Sequence, residues 1–474
     1  MNKKINLVLF YVFLLGLVFL TGCATTPDSA YTVTFDSQGG STVNSQIMEY
    51  GQMVSEPAEP TRESYVFEGW YQESACINLW DFATDTVTSN LTLYAKWTSL
   101  LVRYVSIIGD DSNDGSMDHP WKSIQYALAY TPDGGTVYVA DGIYKEFLIF
   151  PSDRVIVLKS ENGATFTTID AGNSHRVIEM DSCPDGTVLD DFTITGGNNF
   201  EKGGGISVFN CSPTISNNTI TGNQVKNFGG GAIYLFYSSA TISNNTISGN
   251  TANKTNESDS GNGGAIYMQY STPTISNNTI TGNQADRGGG GIYLSYSSPT
   301  IEDNTISGNI AAASGGICMR DHCSPTISNN TITGNQADGY GGGILMWDHC
   351  SPTISNNTIS GNTAGSYGGA IYLFYSSATI SNNTITGNQA DGYGGGIYNY
   401  CSSSTIPTIQ SNTISENICS GQGGGIFMEL TSPSIIIGGA DASDTANFNT
   451  VCGNSPDQIE PNSYPNNNIY DVCP

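Results

Sequence analysis

From Gly203 onward the chain repeats itself, and no other feature constrains its fold as much. The hexapeptide Ile-Ser-Asn-Asn-Thr-Ile, or a close variant, begins at residues 215, 242, 275, 301, 327, 354 and 380, with an altered copy at 409. Successive gaps are 27, 33, 26, 26, 27, 26 and 29 residues, and the longest holds a polar insertion at 254–260. A period of this length means that one supersecondary unit stacks on copies of itself, because no unit alone can bury its apolar face. Gly, Asn and Thr are too frequent in the unit for a helical repeat. The repeating unit does not carry the Trp-Asp signature of propeller blades, which falls within the repeats once, at Trp347-Asp348.

Each unit contains three short β-prone pieces, typified by Ile233-Tyr234-Leu235, Thr241-Ile242 and Thr246-Ile247. Glycines and asparagines separate them. Three strands per coil of about 26 residues predict an all-β chain wound as a parallel β-helix, with coils about 4.8 Å apart. Asn217-Asn218 and their copies mark one corner. Stacked Asn side chains hydrogen-bond along such a ladder, and Asn tolerates the left-handed conformation that a sharp turn needs.

Alternation in a strand sends Ile233 and Leu235 inward and Tyr234 and Phe236 outward. Followed coil by coil, one outward column reads Ser207, Tyr234, Tyr267, Tyr293, Cys318, Leu345, Tyr372, Tyr398, Phe427. A second reads Phe209, Phe236, Gln269, Ser295, Arg320, Trp347, Phe374, Tyr400, Glu429. Rings spaced along a flat sheet present faces on which a sugar or a partner protein can lie. Phe236, Arg320, Trp347, Tyr372 and Phe374 are the candidate ligand-binding residues. The competing expectation is a ladder of rings that only stabilises the sheet.

Charge narrows the partners. Fifteen Lys and Arg stand against 42 Asp and Glu, a net charge of −27. That balance argues against nucleic acid and against anionic lipid surfaces. After Arg287 the one remaining basic residue is Arg320.

Residues 1–22 read as a targeting segment: Lys3 and Lys4 precede an apolar run over 5–20, too short for a comfortable membrane span. Leu20-Thr21-Gly22-Cys23 resembles a bacterial lipobox, which implies cleavage before Cys23, acylation of Cys23 and a tether over 23–30. The expected location is the bacterial envelope, lipid-anchored at the outer membrane or cell surface. Residues 31–97 alternate as strands and carry Phe35 with Gly39-Gly40, Pro60-Thr61-Arg62, Gly69-Trp70-Tyr71, Trp80-Asp81-Phe82 and Tyr94-Ala95-Lys96-Trp97. This segment resembles the Listeria–Bacteroides repeat, similar to the B repeat of internalins, which implies a β-grasp-like stalk or interaction module. Ser64 departs from the Gly usual before the Tyr and implies an altered turn. In 101–474, three stretches stand out: Gly109-Asp110-Asp111-Ser112-Asn113-Asp114-Gly115-Ser116, Pro120-Trp121-Lys122-Ser123-Ile124-Gln125, and Thr136-Val137-Tyr138-Val139-Ala140-Asp141-Gly142. They resemble the opening of pectate-lyase-like proteins, which implies a right-handed parallel β-helix with a cap at each end.

That resemblance spans lyases, hydrolases and plain binders, so chemistry must be sought in the residues. Asp110, Asp111 and Asp114 offer a Ca²⁺ cluster or, more simply, a set of capped turns. Asp190 and Asp191, with Lys159 and Lys202 nearest in sequence, form the sparse constellation of a polysaccharide lyase. Asp321-His322-Cys323 and Asp348-His349-Cys350 occupy neighbouring coils, each with one extra residue, and raise a Zn²⁺ site against the plainer reading of a duplicated coil. Without Cys23, ten cysteines remain; Cys452 and Cys473 flank the last segment and could staple a C-terminal cap. No catalytic residue, metal or cofactor is assigned. The expectation is a lipid-anchored, non-catalytic binding or adhesion protein for carbohydrate or a surface protein. A lyase-like enzyme is the alternative, and an envelope spacer the second.

Overall fold

The computed structural model describes residues 30–199, 202–256, 260–401, 405–430 and 449–455, with short strands at 436–437, 459–460 and 469–470. The signal segment, Cys23 and Cys473 lie outside the described residues. The chain divides into two compact units between Leu100 and Leu101.

The first unit is one four-stranded sheet. Its strands are β1 (Ala30–Asp36), β2 (Gln46–Glu49), β3 (Tyr65–Tyr71) and β4 (Leu91–Ser99), in the order β2-β1-β4-β3. β1 and β4 run parallel, and the outer strands pair antiparallel. Alternation buries Val33, Phe35, Leu93 and Ala95 against Trp70 and Trp80. Gly40 is required where it stands, since a Cβ there would lie 2.4 Å from the Trp97 ring. Ser64 takes the left-handed conformation (φ 62°), which Gly adopts at less cost.

The second unit is a parallel β-helix. Two ladders of 13 strands and one of 12 run its length among the described residues. The 12-strand ladder carries the Ile-Tyr-Leu segments (Ile233–Phe236, Ile317–Arg320, Ile344–Trp347, Ile371–Phe374 and their copies). The others carry the Thr-Ile segments before and after the Asn corner. Neighbouring coils pair in strict register, Ile215 on Ile242 on Ile275. The inward Ile column is 0% exposed throughout this stretch. Near the start, a helix over Ile124–Tyr130 adds Ile124 and Leu128 to the same core. Ser123 caps it, and Glu146 accepts from the Ile124 and Gln125 amides.

Three strands per coil understates the winding. A fourth ladder of nine short strands, among them Gln224–Lys226, Thr251–Asn253, Gln336–Ala337 and Thr363–Ala364, lies between the Thr-Ile and Ile-Tyr-Leu ladders. Its strands bury one small side chain each against their neighbours (Val225, Ala252, Ala285, Ala311), too little for the periodicity to reveal.

The paired asparagines divide their work. Asn217, Asn244, Asn277, Asn329, Asn356 and Asn382 all take positive φ and turn the corner. The next residue faces inward. The Asn330 amide N–H donates to Asn357 Oδ1 (2.9 Å), while Asn330 Nδ2 donates to the Ile301 carbonyl and to Asn357 Oδ1. This arrangement repeats from Asn218 to Asn449. A second asparagine ladder runs from Asn223 to Asn454, built on the Asn of the Thr-Gly-Asn step.

Candidate functional site

The Ile-Tyr-Leu ladder places the two aromatic columns side by side, but they differ in access. The first is covered. Tyr234, Tyr267, Tyr293, Tyr372 and Tyr398 are 0–6% exposed, because the chain leaving the fourth ladder folds Phe228, Tyr340 and Tyr367 over them. Their rings stack nearly parallel, Tyr234 to Tyr267 at 5.4 Å and Tyr372 to Tyr398 at 5.1 Å. Tyr372 is therefore a packed ring and not, as its outward position suggested, part of an open face. The fourth ladder, invisible in the periodicity, is the reason.

The second column is half-buried. Phe236 stacks on Phe209 (4.5 Å), and Phe374 lies between Trp347 (4.6 Å) and Tyr400 (5.1 Å). Lys202 Nζ sits over four rings at the lower end, Phe236 among them. A third ring column was not foreseen. Tyr237, Tyr270 and Tyr296 turn the corner at positive φ and stack 5.2 Å apart on the outside. His322 and His349 continue it, their rings 5.5 Å apart. Its signal was a Tyr directly after the strand in successive units.

The covered column loses its rings at Cys318 and Leu345, which pair across adjacent strands. The covering segment is also small nearby, with Asn262, Gly288 and Ala313 where later coils have Tyr340 and Tyr367. A cavity of about 300 Å³ results. Tyr293 bounds it on one side, Tyr340 and Trp347 on the other, with Cys318 and Leu345 as its floor and Arg287 and Arg320 at its edge. Burial pushes the Cys318 thiol up to about 12, so it stays protonated. Arg320 is half-exposed and lies 3.9–4.0 Å from Asp348 and Asp321, too far for tight pairing. Of the five candidate residues, Arg320 and Trp347 line this notch, Phe374 backs Trp347, Tyr372 packs behind Tyr340 (5.0 Å), and Phe236 lies three coils away.

The other constellations resolve differently. Asp110 accepts from Ser112, Asp114 from Ser116 and Asp111 from the Lys122 and Ser123 amides, so the three carboxylates serve separate turns. Asp321, His322, Asp348 and His349 all take positive φ, which absorbs the extra residue of each coil. The histidines then point outward while Cys323 and Cys350 are buried. Among the described residues no group of three or more His, Cys, Asp or Glu converges as a metal site.

Asp190 and Asp191 do meet Lys159, at 2.7 and 3.3 Å. Burial opposes charge on Asp190, but hydrogen bonds from Lys159, Asn217 and Ser216 outweigh it and hold the carboxyl below its usual range. The bond to Asp190 raises Lys159, which keeps the amine protonated and unsuited to act as a base.

Residues 31–96 match the Listeria-Bacteroides repeat domain, and residues 156–359 and 315–455 match the right handed beta helix region. An Evansella cellulosilytica protein carrying the provisional name of a Gly-rich membrane protein is 48% identical over 86 residues, 18% of this chain and 10% of that protein. Internalin H of Listeria monocytogenes is 40% identical over 119 residues, 24% of this chain and 21% of its own length. The chain thus spans about a tenth to a fifth of the curated relatives it matches. Among solved structures, the complex of XylC with xylose aligns with a TM-score of 0.41 at 12% identity over 66% of this chain and 76% of that one. Pectate lyase Pel9A aligns at 0.37 and 13% identity over 73% and 80%. Sequence match, strand register and coil period agree, and the chain belongs to the right-handed β-helix family, with a Listeria-Bacteroides repeat domain in front.

Proposed function

We propose that this is a surface-displayed, non-catalytic binding protein that takes a carbohydrate in the notch of its aromatic column. One observation carries the reading: both basic residues that follow Lys254 in the sequence, Arg287 and Arg320, line the cavity where the rings are missing. In a chain of net charge −27 this is a local concentration of donors beside ring faces. A cavity near 300 Å³ sits at the small end of ligand sites and suits one sugar unit entering side-on. Trp347 and Tyr340 supply faces for its C–H surface, and a guanidinium supplies directed donors for its oxygens. The membrane and internalin names of the relatives, with the lipobox-like Cys23, support display on a bacterial surface.

The test is a glycan array followed by calorimetry on the purified chain. Binding of a saccharide that weakens at least tenfold in Trp347→Ala supports the reading. Retention undiminished in that variant, or no saccharide retained at all, overturns it.

A further inference from the structure

Four cysteines fall in one inward column. Where the Ile-Tyr-Leu strand turns toward the next ladder, successive coils place Cys183, Cys211, Ser238, Ser271, Ser297, Cys323, Cys350 and Ser376 inside, none more than 6% exposed. The serines form a hydroxyl ladder: the amide of Ser238 donates to Ser271 Oγ, and that of Ser271 to Ser297 Oγ. Cysteine replaces serine here twice, each time in two adjacent coils. Cys183 Sγ and Cys211 Sγ lie 2.7 Å apart. Cys323 and Cys350 repeat one turn in adjacent coils, each buried and each donating its thiol to a carbonyl of its own coil, Arg320 (3.1 Å) and Trp347 (3.2 Å). Neighbouring coils stand about 4.8 Å apart, within the Cα separation that a disulfide bridges.

We infer that each pair closes a disulfide between adjacent coils, Cys183–Cys211 and Cys323–Cys350, when the chain folds in an oxidising compartment. The oxidant is an external disulfide, such as oxidised glutathione or a thiol oxidoreductase. One cysteine thiolate attacks it and releases one thiol; the second cysteine attacks the mixed disulfide and releases the other. The cysteines lose two protons and two electrons, and the external disulfide becomes two thiols. Attack needs access, and the folded coil gives none, so the bonds form while coils are still stacking. The second bond joins the coils that carry Cys318 with Arg320 and Leu345 with Trp347, the two levels of the notch.

The test unfolds the full chain under reductant, refolds it in a glutathione redox buffer, alkylates free thiols in denaturant and maps peptic peptides by mass. Two linked pairs are expected, each two hydrogens lighter than its reduced form, with Cys76 and Cys318 alkylated. In Cys211→Ser, Cys183 becomes alkylatable and Cys323–Cys350 persists. Alkylation of all four in a refolded chain, or links to other partners, overturns the inference. If refolding fails, the chain secreted in folded form through an oxidising host compartment is mapped in the same way, with the same expectation.

Discussion

Cys318 lies opposite Leu345 on the neighbouring strand, and these two positions interrupt a ring column that otherwise runs from Tyr234 to Phe427. The interruption leaves a cavity because the coils cannot collapse: their spacing is set by hydrogen bonds in every ladder. Cys318→Phe puts a ring back at stacking distance from Tyr293. It is expected to leave thermal stability unchanged or raise it, by restoring the dispersion attraction that atoms lining a void forgo. Saccharide binding should fall at least tenfold, about 1.4 kcal/mol. Melting temperature and calorimetry on one sample separate the two effects.

Asn329 and Asn330 are adjacent and make opposite demands. Asn329 has φ of 58°, so Asn329→Gly should be nearly neutral, while Asn329→Ala should cost about 1–2 kcal/mol. Asn330→Ala removes the acceptor of the Asn304 amide and the donor to the Ile301 carbonyl, both buried. At roughly 1–3 kcal/mol per orphaned group, the loss should be about 3 kcal/mol or more. Urea unfolding of the three variants gives the ranking, and equal losses at both positions would contradict this division.

The period and the inward Ile column made the coil legible, because both are stated once per unit and repeated. What escaped were features whose signal is a small residue. The fourth ladder rests on Val225, Ala252, Ala285 and Ala311, and without it the covered state of Tyr234 and Tyr372 could not be read. Arg320 and Trp347 stood out by type, one as the last basic residue of the chain and the other as the largest ring of its column. That they share a notch depended on Gly288 and Ala313, residues that attract no notice in a glycine-rich chain. The corner tyrosines were overlooked because positive φ is unusual for Tyr, and only the shared turn of successive coils enforces it.

The Lys159–Asp190–Asp191 cluster makes stability depend on pH in a defined direction. Asp190 is held below the usual carboxylate range in the folded chain, so its contribution is present above that range and is lost as pH falls through the depressed value. Lys159 is raised, so its contribution is complete below the ordinary lysine range and fades only in strong alkali. Lys159→Met should lose about 1 kcal/mol near neutral pH, discounted for the partial exposure of the amine. It should lose much less near pH 3, where Asp190 is closer to protonation in either chain. Urea midpoints at the two pH values check this; a loss that grows in acid would refute the sign.

Tyr372 and Trp347 belong to adjacent coils and differ in what they do. Tyr372 is 5% exposed beneath Tyr340, with its ring stacked on Tyr398. Tyr372→Ala opens a void in a packed column, and the expected cost is about 3–5 kcal/mol, with coils on either side loosened. Trp347 is half-buried at the notch, where one face rests on Phe374 and the other bounds the cavity. Trp347→Ala should cost less stability, since part of the ring already faces solvent, and more binding. Hydrogen exchange read by mass spectrometry distinguishes them. Tyr372→Ala should raise exchange in the strands around 344–347 and 397–400, whereas Trp347→Ala should leave those strands protected while abolishing ligand retention.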